Sequence, residues 1–177
     1  MGSYLIDIVA MLFAFPVALF PAMSHQWGGA KAAGFLYSGM AIGAFIISLF
    51  SGWTAFVTRN GRAVVISASL WAFFILWLGF TDNLYIAVLL LILSGAADAV
   101  SAIFRQTIWN YAIPNEMRGR LSGIEMISYM AGPLLGNVRA GYIASAFSVQ
   151  LSLTSGGILC LVGVILTAFL LPKFWNA

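Results

Sequence analysis

Six apolar runs, each about as long as a membrane's hydrocarbon layer is thick, succeed one another along this chain with only short polar turns between them. Roughly 18 consecutive apolar residues suffice for a helix to cross that layer. Backbone N–H and C=O groups in hydrocarbon have no water to bond, so such runs fold as helices. They cover approximately residues 4–23, 32–57, 63–80, 84–111, 121–147 and 151–171. The charged share is 7%, against about 25% in soluble domains, and mean hydropathy is +1.01. A water-soluble fold is thereby excluded. The expectation is an all-α membrane protein, a six-transmembrane-helix bundle forming a single domain over residues 1–177, because no linker or composition break divides it.

Other classes fall away on residue counts. Cys160 is the one cysteine and His25 the one histidine, too few for a disulfide framework or a Cys/His metal site. No HExxH, Gly-x-Ser-x-Gly or phosphate-cradling loop is present, so neither catalysis nor a cofactor is expected. A net charge of +3 spread over short loops suits anionic lipid head groups better than nucleic acid. The first run opens with Asp7 and has no basic leader, which reads as a span and not as a targeting peptide.

Loop charge sets the orientation. Arg59, Arg62, Arg118, Arg120 and Lys173 lie on the side that also holds both termini, and Lys31 alone lies opposite. Basic loops stay cytoplasmic, so both termini are expected there.

Within the spans, an ionisable group costs at least about 2.5–3.5 kcal/mol and therefore needs a partner, a cavity or a task. Charge gathers between Ser94 and Glu125, around Asp98, Arg105 and Glu125. Asp98 lies ~21 Å into its helix, past the midplane. Its stripe of Ser94, Ala97 and Ser101 is small and polar. Asp98 is either a proton-binding group or a carboxylate taking hydrogen bonds from a neighbouring helix end. Arg105 is two turns away, ~10 Å of rise, too far for direct contact along a straight helix. Glu125, at the same level on the next helix, is its expected partner, as a fixed clamp or one that opens in a conformational cycle. Arg139, ~12 Å inside its helix, either walls an outward-facing cavity with Asn137 or snorkels to a carbonyl. Asp7 reads as a helix N-terminal charge favoured by the macrodipole. Gly39 and Gly43 form a small-xxx-small pair that admits another helix closely.

The segment DAVSAIFRQTIWNYAIPNEMRGRLSGI, the opening SYLIDIVAMLFAFPVALFPA and GPLLGNVRAGYIAS together resemble the C-terminal half of a major facilitator superfamily transporter. The nearest likeness is to the drug:proton antiporter branch that includes enterobactin-exporter-like proteins. In the turn SGWTAFVTRNGR, Gly52, Gly61 and Arg62 match the superfamily's signature loop, with a longer spacing and no acidic residue; Arg118, Gly119 and Arg120 form the other loop motif. The resemblance implies two inverted three-helix repeats and alternating access in a bacterial inner membrane. It implies proton-driven export of a small amphipathic molecule, a drug or siderophore. Coupling and gating fall to Asp98, Arg105, Glu125 and Arg139, with Asp7, Tyr37, Tyr129 and Asn137 as secondary candidates along the substrate path. Such transporters place their path between two six-helix halves, so the implied partners, besides the bilayer, substrate and protons, are an N-terminal half or a second copy. The competing reading is a non-transporting scaffold or partner subunit, inert as a truncated half.

Overall fold

The computed structural model describes residues 2–113 and 118–171, all helical apart from the links between helices. The first apolar run is not one helix. α1 (Gly2–Ala14) stops before Phe15-Pro16, a 3₁₀ turn covers Val17–Leu19, and α2 (Phe20–Gln26) completes the passage. Pro16 makes the break, since it has no N–H to donate and its ring crowds the carbonyl four residues back. Pro21 falls in the first turn of α2, where a missing N–H costs nothing. Gly28 and Gly29 then turn the chain at φ of 102° and 69°, values that glycine alone takes without strain, and α3 (Ala30–Leu49) follows.

The second run, expected helical over 32–57, also divides. After Leu49 a 3₁₀ segment runs over Ser51–Phe56. The Ser51 and Thr54 hydroxyls donate to the Ser48 and Ser51 carbonyls at 3.1 and 2.7 Å, and this local competition beside Gly52 favours tighter winding. α4 (Asn60–Leu78) begins inside the TRNGR turn, so Gly61 and Arg62 belong to its first turn. α5 (Leu84–Ala112) is capped by Asn83, whose side-chain oxygen accepts from the Tyr85 and Ile86 N–H groups at 2.9 and 3.4 Å. α6 (Arg118–Ala146) holds Pro133 internally, and α7 (Val149–Leu170) is capped by the Ser148 hydroxyl, which accepts from the Leu151 N–H at 3.0 Å.

Among the described residues five stretches are long and apolar enough to cross a membrane: Leu5–Gln26, Ala30–Leu49, Asn60–Leu78, Leu84–Tyr111 and Val149–Leu170. α6 equals α5 in length but is the least apolar of the long helices.

α5 packs along both α3 and α4; α7 packs along α4 and α1; α6 packs along α1 and α7. α3 and α6 thus stand at the two ends of an arc, with no extensive contact between them among the described residues; α2 packs on α3, and the 3₁₀ turn Val17–Leu19 packs on α6. Half of the apolar window of α4 is buried but only 22% of that of α3, which makes α4 central and α3 peripheral. The closest approaches run over glycine, where backbones can touch. A Cβ on Gly43 would overlap the Ile92 carbonyl oxygen, and one on Gly95 would overlap that of Met40, so α3 and α5 meet backbone to backbone. The core between the helices is filled by Ile6, Leu36, Trp71, Ile75, Leu91 and Phe104.

Candidate functional site: a charge network between α1 and α5

α1 and α5 run antiparallel, so the start of one and the end of the other share a level. Asp7 lies ~8 Å from the start of α1 and Arg105 ~10 Å from the end of α5 at the helical rise. The Arg105 guanidinium forms an ion pair with the Asp7 carboxylate across this junction. Its other nitrogen, Nη2, stands 3.8 Å from Asp98 Oδ1 on its own helix. One cation is therefore set between two unequal carboxylates. Asp7 is 7% exposed as a residue, whereas the Asp98 side chain keeps 29% of its surface open. Ser94 and Ser101, the polar stripe around Asp98, are both buried, and the Ser94 hydroxyl donates to the Leu91 carbonyl at 2.9 Å. Trp53 meets Phe104 edge-on at 6.0 Å beside the network.

Two readings of these residues change. Asp7 is not a first-turn charge balanced by the helix dipole; it is a buried anion held by Arg105. Asp98 and Arg105 do come together, because helical side chains lean toward the N-terminus and the long arginine stem covers the two turns back to Asp98. Glu125 belongs to α6 by its backbone, but its side chain, like those of Arg118 and Arg120, lies outside the described residues. The partner that sequence reasoning missed was Asp7. Its signal was depth: no other acid of a spanning helix shares that level with Arg105 on the described side chains.

A second polar locus joins α6 to the break in the first run. When α1 ends at Ala14, its last carbonyls lose their helical donors. Arg139 Nη1 donates to one of them, that of Phe13, while Nη2 reaches Ser155 Oγ at 3.3 Å and the Ser152 carbonyl at 3.5 Å. The guanidinium also lies 5.6 Å from the centroid of the Phe13 ring, a cation–π distance. Asn137 Oδ1 accepts the Ala18 N–H at 3.1 Å, just past the break. Of the two sequence readings of Arg139, the carbonyl partner is what the geometry contains. The cavity beside it measures about 10 Å³, near the least that holds one water. Arg139→Lys is expected to cost about 1–3 kcal/mol, because a single ammonium cannot bridge three acceptors in a plane. Thermal unfolding in detergent reads this loss, and an unchanged midpoint contradicts it.

The remaining candidates are dispersed. Tyr37 is half-exposed on α3 with its ring edge-on to Phe20 at 5.1 Å, and Tyr129 is exposed on α6. Gly52 is exposed in the 3₁₀ segment, Gly61 is buried in α4, Arg62 is half-buried with a contact inside the chain, and Gly119 is exposed in the first turn of α6. No cluster of three metal-ligating side chains occurs among the described residues.

The sequence profile of the Major Facilitator Superfamily matches residues 5–174. Among characterised proteins, the chain is similar to the enterobactin exporter EntS of Escherichia coli O127:H6 and of E. coli O6:K15:H31, each 30% identical over 151 residues, which is 84% of this chain and 36% of the relative. EntS of Shigella flexneri is 29% identical over 153 residues, 85% of this chain and 37% of the relative. The chain thus spans little more than a third of the length of these relatives. No solved structure matches it.

Proposed function

Since this chain belongs to the Major Facilitator Superfamily of membrane transporters, we propose that it is the C-terminal six-helix half of a proton-coupled exporter of a small amphipathic molecule, working by alternating access in a bacterial inner membrane. In this reading α6 is the sixth span, the bundle is two inverted three-helix repeats, and both termini face the cytoplasm. The enterobactin-exporter relatives support export as the direction of transport; the cargo in this reading is a drug or siderophore. The partner is an N-terminal six-helix half, or a second copy, seated across the gap between α3 and α6. A path between two bundles is where this superfamily's architecture places its substrate.

The observation that carries the proposal is the Asp7–Arg105–Asp98 network. Two carboxylates compete for one guanidinium between α1 and α5, and Asp98 is the more exposed of the two. A proton on Asp98 leaves Arg105 wholly to Asp7; its release returns the arginine to a shared position. Glu125 is the further candidate in the same exchange, and Arg139 with Asn137 holds the hinge in the first run while the bundle moves.

The test is proton movement in sealed vesicles carrying the protein with its other half. Asp98→Asn is expected to abolish substrate-dependent proton flux while leaving the unfolding midpoint in place. Flux equal to that of the unmodified protein sinks the coupling role of Asp98. The carbonyl-capping geometry of Arg139 favours a second reading, a scaffold whose charges only lock helices; in that case no substrate moves protons with any partner half.

A further inference from the structure

A groove of about 610 Å³ lies between α4 and α7, on the arc away from the gap between α3 and α6. Its walls include Ile66, Ser69 and Phe73 on one side and Leu161, Ile165 and Ala168 on the other. The one hydroxyl among these six, that of Ser69, is spent on the Val65 carbonyl at 2.8 Å, so the surface offered is hydrocarbon throughout. From Ile66 to Phe73 the groove follows the helix axis for ~11 Å, most of the ~15 Å depth of one leaflet. Arg62, Ile66, Ser69 and Phe73 recur at the three-to-four spacing of a single helical face, and Arg59 is the residue at which the chain enters that helix. The Ile66 end of the groove therefore lies one helical turn from Arg62, with the exposed Arg59 just before the start of the helix. Arg62 makes a contact inside the chain, but a guanidinium has five donors and can serve a second acceptor.

We propose that this groove is a site for an anionic phospholipid, one acyl chain lying between α4 and α7 and the phosphate against Arg59 and Arg62. The molecule supplies its own contrast. A second apolar groove of about 380 Å³ runs along Phe73, Trp77, Phe80, Ile86 and Leu90 at the other end of α4, and it reaches Thr81, whose neighbour in sequence is the acidic Asp82. Apolar shape alone would fill both grooves with any lipid; charge at the mouth selects an anionic head group for the first and disfavours one at the second. The site rests on membrane embedding and charge, not on the transport proposal.

The experiment is native mass spectrometry of the purified chain in mild detergent with equal amounts of phosphatidylglycerol and phosphatidylcholine of the same chains. Phosphatidylglycerol is expected to be retained roughly tenfold over phosphatidylcholine, from two basic groups near the head group. The double variant Arg59→Gln/Arg62→Gln removes the preference while lipid is still retained. Ala168→Trp, which fills the groove, removes the preference for phosphatidylglycerol, and Leu161→Trp serves where that variant does not fold. Leu90→Trp, in the second groove, leaves the preference intact. Equal retention of the two lipids by the unmodified chain overturns the site, as does a preference that survives either the arginine or the groove-filling changes. A dimer that Ala168→Trp dissolves also overturns it, because a second copy then occupies the groove.

Discussion

Arg105→Met is expected to destabilise the bundle by about 3–5 kcal/mol, the range for stranding one member of a buried ion pair. The substitution leaves Asp7, only 7% exposed, as an anion with its cation removed. Asp98 suffers less from the same change, since its side chain keeps 29% of its surface open and it stands 3.8 Å from the arginine. The double variant Asp7→Asn/Arg105→Met is expected to recover most of the loss, because the uncompensated charge is then gone and a neutral pair of similar volume packs in its place. Asp98→Asn alone should cost less than ~1 kcal/mol, as for a loosely paired and partly solvated carboxylate. Thermal midpoints of the four proteins in one detergent measure all of this. If Arg105→Met unfolds where the unmodified chain does, the ion pair is not what joins α1 to α5.

Gly43→Leu is expected to separate α3 from α5, at a cost of about 3 kcal/mol or more, the upper end of overpacking. Most overpacked sites relax through a side-chain rotamer, but this one cannot. The first added carbon overlaps the Ile92 carbonyl oxygen and comes within 2.7 Å of the Ala96 nitrogen, so the backbone of α5 itself has to move. Gly95→Leu meets Met40 in the same way from the other side. Because α5 carries both Asp98 and Arg105, displacing it also loosens the charge network, and the two losses add. Gly34→Ala is the control: nothing lies within 4 Å of its Cβ position, so the exchange is neutral or gains the fraction of a kcal/mol that alanine offers a helix. Equal midpoints for Gly43→Leu and Gly34→Ala would mean that the α3–α5 contact is not close.

The close crossing at Gly39 and Gly43 was legible as a pattern, since small residues one turn apart among large ones have few uses other than admitting a neighbour. Which neighbour it admits was not. The same limit applied to the charges. Asp98 and Arg105 stood out because ionisable groups in apolar runs are costly; Asp7 did not, because near the end of a helix a charge has the inexpensive alternative of the dipole. The 3₁₀ segment over Ser51–Phe56 went unread for a related reason: the hydroxyls of Ser51 and Thr54 redirect a stretch whose apolarity alone is that of a continuing helix. Arg139 was read as walling a pocket with Asn137 or as reaching a carbonyl; the second is what occurs, but that the carbonyl and the Ala18 N–H would be backbone groups at the Pro16 break was not legible.

The sequence by itself determined the helical, membrane-spanning character of the chain and roughly where its apolar runs begin and end. These follow from local physics: hydrocarbon leaves a backbone no partner but itself, so a long apolar run has to bond within its own helix. Only the tertiary structure decided that Asp7 pairs with Arg105, that α6 closes the break in the first run, and that an apolar groove lies between α4 and α7. Each depends on how the helices are rotated about their axes and in what order they are arranged around α4. That rotation is settled by backbone approach at a few glycines and by side-chain volumes far apart in the chain, a global packing problem that no local spacing encodes.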